Sequence, residues 1–129
     1  MSKKLFAILG LCGIVVILIL VACSATSTDT SSAPNQVHMN ATNFVQPSIT
    51  IKKGESITLI DDAQDSHIIA SGTWENGTAK PQDELGAPQV QDLQVSGSDQ
   101  AAIGPFTTAG TFHFYCTVHP GMSLTVVVQ

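Results

Sequence analysis

From about residue 37 onward, apolar and polar positions alternate in short runs broken by Gly, Pro, Asn and Asp. Ser48-Ile49-Thr50-Ile51 and Ser56-Ile57-Thr58-Leu59-Ile60 place an apolar, mostly β-branched side chain at every second position, with Lys53-Gly54 as a turn between them. That period puts one face of a strand in a core and the other in solvent. Val37 to Asn40 opens this region, His67 to Ala70, Gln91 to Val95 and Thr111 to Cys116 read the same way, and Leu124 to Val128 closes the chain as a β-branched strand. Helical periodicity is weak, and short strands punctuated by turn residues predict an all-β sandwich or barrel. Ser71 to Pro88 breaks the pattern: polar, with Gly72, Gly77, Pro81, Gly86 and Pro88, it reads as a long surface excursion.

The first part of the chain has a different pattern. Lys3 and Lys4 precede Leu5 to Cys23, an apolar run without a charge that closes on Leu20-Val21-Ala22-Cys23. A basic start, an apolar stretch and small residues before a cut site describe a secretory signal. Leu-Val-Ala-Cys also resembles a bacterial lipobox, in which Cys23 is lipidated and becomes the mature N-terminus. The alternative is an uncleaved anchor, since such a run nearly crosses a bilayer core of about 30 Å. Either way the domain is expected outside the cytoplasm, held to a membrane, with Lys3 and Lys4 inside. Ser24 to Gln36, SATSTDTSSAPNQ, has too little apolar surface to offset its ordering entropy and reads as a flexible linker. The organisation predicted is therefore 1–23 signal or anchor, 24–36 linker and 37–129 folded domain.

Composition narrows the function. The chain has five lysines, no arginine, ten acidic residues and a net charge of −5. A phosphate backbone demands a basic footprint, so a nucleic-acid partner is excluded. Cys12 and Cys23 fall in the N-terminal run, which leaves Cys116 alone in the domain and rules out a disulfide within it. A lone thiol outside the cytoplasm is an oxidation liability unless it is buried or bound to metal.

Its neighbours favour a metal. Cys116-Thr117-Val118-His119-Pro120-Gly121-Met122 brings a thiol, an imidazole and a thioether together just after a strand. Thiolate and thioether are soft ligands, and with imidazole they suit copper better than zinc or iron. A site of two histidines, one cysteine and a distant methionine needs one more histidine. His113 lies on the strand that carries Cys116, but alternation turns it to the opposite face, with Tyr115. His67 follows Asp65-Ser66 at the start of an apolar strand, whereas His38 lacks a loop that could present it. The candidate ligands are thus His67, Cys116, His119 and Met122.

These residues resemble the ligands of the cupredoxins, small blue-copper electron carriers. The spacing Cys-x₂-His-x₂-Met is similar to the short ligand loop of amicyanin, and Gly110-Thr111-Phe112-His113-Phe114-Tyr115-Cys116 is similar to the strand that leads into it. Phe44, Pro47, Ile49 and Gly54 resemble the family's opening hairpin. The resemblance covers nearly all of 37–129 and implies a Greek-key β-sandwich with one type 1 copper per chain. It further implies a monomeric carrier that moves single electrons between a redox donor and acceptor, and not an enzyme. One position departs from the family: the Asn that commonly follows the first histidine and ties its loop to the cysteine loop is Ile68 here. Ser66 or Thr117 is expected to make that tie. The alternative function is a copper chaperone or store, which binds the same metal but exchanges it through exposed ligands.

Overall fold

The computed structural model describes residues 34–129. The predicted signal or anchor, and the linker up to residue 33, lie outside the described residues. Nine strands follow in chain order: β1 Gln36–Met39, β2 Ser48–Ile51, β3 Ile57–Asp61, β4 Ser66–Glu75, β5 Thr78–Pro81, β6 Leu93–Ser96, β7 Gln100–Ile103, β8 Gly110–Cys116 and β9 Ser123–Val128. Among the described residues there is no helix. The strands form two sheets, one ordered β1-β3-β7 and the other β2-β9-β8-β4-β5, with β6 on the remaining edge of β4. This is the all-β sandwich that the alternating runs predict, with the Greek-key order that the resemblance implies.

Period-2 patterning drives the sandwich. In β9 the buried residues Leu124, Val126 and Val128 alternate with half-buried ones, and in β3 Ile57, Leu59 and Asp61 do the same. The inward faces meet in a single core that includes Met39, Leu59, Ile69, Phe106, Phe112, Phe114 and Leu124. Phe106 sits edge-on to Phe114 at 6.0 Å between ring centroids, an arrangement favoured by the ring quadrupoles. Each such side chain gains about 1.5–3 kcal/mol from leaving water.

Three elements differ from the sequence expectation. The opening segment is not a two-stranded hairpin. Met39 and Phe44 make one antiparallel bridge, after which the chain changes sheets: β1 runs parallel to β3 and β2 runs parallel to β9. The run from Ser71 is no loose excursion as far as Pro81. It continues β4 to Glu75 and returns as β5, with Trp74 opposite Ala79. Asn76 and Gly77 both have positive φ at the tip, the conformation a two-residue hairpin turn requires and an Asn-Gly pair adopts readily. Strand β7, Gln-Ala-Ala-Ile, has no clear signal in the sequence, because alanine carries little strand preference. It forms through antiparallel pairing with β3.

Candidate metal centre

Two neighbouring strands and one loop bring the chemistry together. β4 and β8 are antiparallel partners, with Ile69 opposite Cys116, which places His67 of β4 near the end of β8. The Thr117 amide donates to the Ile68 carbonyl at 2.8 Å. The tie expected between the two segments is therefore made by the backbone of Thr117, while Ser66 lies exposed at the strand's edge opposite Ser96. A backbone amide and carbonyl do not depend on which side chain stands at 68, so Ile68 is compatible with the tie.

The loop from 117 to 122 closes on itself. The Cys116 amide donates to the Met122 carbonyl at 3.0 Å, and the Met122 amide donates to the His119 carbonyl at 3.1 Å. Gly121 takes a φ of 84°, a left-handed conformation that a side chain would strain.

Within this frame the Cys116 thiol faces both rings through Nδ1, at 3.8 Å from His67 and 3.4 Å from His119. One donor atom from each of the three residues lies within 4.8 Å of the others, and the two rings are tilted by 54° with centroids 4.9 Å apart. Cys116 and His67 are fully buried and Met122 nearly so, whereas His119 is half-buried on a loop whose Val118 and Pro120 are exposed. Burial pushes the His67 imidazole below its ordinary range; the Asp61 and Asp65 carboxylates oppose that shift and His119 adds to it. A ring held neutral keeps a lone pair free for a metal.

The other two histidines are engaged elsewhere. His38 Nδ1 pairs with Asp62 at 2.8 Å. His113 Nδ1 pairs with Glu84 at 2.8 Å, and Glu84 also accepts the His113 amide. Trp74 contributes something that the sequence pattern does not show. Its indole N–H donates to the Cys116 carbonyl at 2.9 Å, and its ring stands edge-on to Tyr115 at 6.0 Å. The hairpin β4–β5 thus covers the outer face of β8 beside the thiol. An Asn-Gly turn two residues after the tryptophan was the signal that could have shown it.

A buried thiol facing two imidazole nitrogens, with a buried methionine at the base of the same loop, fits a soft, redox-active metal. His67 Nε2 is buried without a hydrogen-bond partner, as expected of a ring whose place in the fold is set by more than packing. The sequence profile described as copper binding proteins, plastocyanin/azurin family, matches residues 31–129.

The chain belongs to the plastocyanin/azurin family of copper-binding proteins.

Copper is accordingly its cofactor, and members of the family are in general electron carriers rather than enzymes. Among solved structures the chain is similar to amicyanin from Paracoccus versutus (Thiobacillus versutus), with 21% identity, a TM-score of 0.58, and coverage of 78% of this chain and 86% of amicyanin. It is also similar to a purple cupredoxin from Nitrosopumilus maritimus, with 18% identity, a TM-score of 0.52, and coverage of 72% and 99%. At these identities the likeness concerns the fold. No curated protein matches the chain significantly.

Proposed function

We propose that the chain holds one copper ion between His67, Cys116, His119 and Met122 and carries single electrons between redox proteins outside the cytoplasm, tethered to a membrane through its N-terminus. Copper, when bound, supplies one-electron cycling between Cu(II) and Cu(I). The observation that carries the reading is the convergence of the Cys116 thiol and the Nδ1 atoms of His67 and His119. The protein's part is to hold these groups in place. Cys116 is fixed by strand pairing, His67 by β4, and Met122 by its two backbone hydrogen bonds. Ligands anchored in this way have little room to rearrange between oxidation states, and a transfer with little rearrangement is fast.

His119 sits half-buried on the loop, beside the exposed Val118 and Pro120 and 3.4 Å from the buried thiol, and offers a way from that thiol to a partner at the surface. Burial of Cys116 and His67 weighs against the chaperone or storage alternative, which relies on accessible, exchangeable ligands. Support for the tether comes from the apolar run ending at Cys23.

The test adds Cu(II) to the full chain in detergent and records the visible spectrum and voltammetry, with Cys116→Ser alongside. An intense thiolate-to-copper band absent from the mutant, with reversible one-electron cycling, is the expected result. A colourless complex, or copper lost on reduction, would turn the assignment toward storage or transfer of the metal.

A further inference from the structure

The three-stranded sheet places a carboxylate against the far side of the candidate centre. Asp61 ends β3 and His67 begins the buried part of β4, in the opposite sheet. Both side chains are wholly buried, and Asp61 Oδ1 lies 3.8 Å from His67 Nε2. Oδ1 accepts the Ala63 amide at 2.9 Å, whereas Oδ2 and Nε2 are buried with no hydrogen-bond partner. The Asp61 amide donates to the Asp99 carbonyl at 3.0 Å, so the backbone is held in place. Among the described residues no lysine pairs with Asp61; the ion pairs found are His38–Asp62, His67–Asp61 and His113–Glu84.

A buried carboxylate without a cationic partner and a buried ring N–H without an acceptor are each unfavourable. Facing one another across 3.8 Å, each can relieve the other. His67 turns Nδ1 toward the Cys116 thiol, which leaves Nε2 as the nitrogen that carries the proton and points to Asp61. Closing the gap to a hydrogen bond takes a shift of about 1 Å. Resting on the metal-site assignment above, we infer that Asp61 is a positioning residue: its carboxylate accepts a hydrogen bond from the Nε2–H of His67, fixes the ring with Nδ1 toward the metal, and sets a negative charge behind that ligand. A carboxylate behind a ligating histidine makes the ring a stronger donor. The added negative charge favours the more highly charged metal state, so Asp61 holds the reduction potential down. The Asn40 carbonyl also acts on the ring and is the competing acceptor.

Two measurements on the full chain in detergent test this. The first is nitrogen NMR of the metal-free, unaltered protein and needs no substitution: His67 is expected as the tautomer protonated at Nε2, with that proton slow to exchange. A His67 protonated at Nδ1 would overturn the inference. The second compares the copper-loaded wild type with Asp61→Asn, which keeps the shape and an acceptor oxygen but removes the charge, and with Asp62→Asn, which removes a neighbouring exposed charge. Asp61→Asn is expected to keep the thiolate band while favouring the reduced state tenfold or more, which is 59 mV or more for one electron; Asp62→Asn shifts it far less. Equal potentials in wild type and Asp61→Asn would mean that the Asn40 carbonyl orients the ring alone, and the inference fails. A wild type without a thiolate band would instead defeat the metal-site assignment, a separate and distinguishable failure.

Discussion

At the scale of single residues, burial adjusts what the identity of each side chain makes possible. His67 is the clearest case. Free in water, an imidazole titrates near 6.5; in the fold, burial holds it below that range. Between those two values the unfolded chain takes up a proton that the folded protein refuses, so stability rises with pH. In the metal-free protein this contribution is fully present above about pH 6.5 and is lost as the pH falls toward the lowered folded value. Urea midpoints of the metal-free chain are therefore expected to fall between pH 7.5 and 5.5, with a smaller slope in His67→Gln; equal slopes would show that another group governs the change. How much of the site was legible follows the same division. Cys116, His119 and Met122 declare themselves by close spacing, because one loop carries all three. The role of Asp61 could not be read, because it lies on the opposite sheet and its meaning depends on a distance between strands.

At the scale of elements, β8 is supported on both faces. Its inward face contributes Phe112, Phe114 and Cys116 to the core. Its outward face is covered near the thiol by Trp74 and further back by Glu84, which accepts both the His113 amide and Nδ1. Glu84 thereby fastens the segment between β5 and β6 to the strand. Glu84→Ala is expected to cost about 1.5–3 kcal/mol, the range for hydrogen bonds to a charged group. In thermal unfolding a domain of this size loses about 4–8 °C per kcal/mol. A melting temperature within a degree of wild type would show the clasp to be incidental. The strands rich in β-branched residues, β2, β3 and β9, are plain in the sequence. The hairpin after Ser71 was missed because its polar residues and glycines resemble loop composition. There, Gly72 bends with a φ of 127°, and a side chain would overlap the Lys80 carbonyl. That glycine marks where β4 leaves β8 for β5. Reading it as a break rather than a change of partner produced the miss.

At the scale of the whole molecule, the proposed organisation is a domain, a tether and a membrane end. If Cys23 is the lipidated terminus, Cys23→Ala is expected to move the protein from the membrane fraction to the soluble or precursor fraction, with loss of acyl label; unchanged fractionation without label in the wild type would favour the uncleaved anchor. The domain has its own logic. The loop that supplies His119 is closed at its base by the hydrogen bond from the Cys116 amide to the Met122 carbonyl, and β8 and β9 pair directly beyond it, Tyr115 opposite Ser123. The scaffold therefore ends where the loop begins. Within the loop, Val118 and Pro120 are exposed and take no part in the strand pairing, whereas the Thr117 amide, His119 and Gly121 hold the loop in its place. If His119 is the ligand nearest the surface, its neighbours Val118 and Pro120, both exposed, can change what a partner meets while Cys116, His67 and Asp61 stay fixed in the strands; the face offered to a partner can then drift in a lineage without disturbing the chemistry behind it.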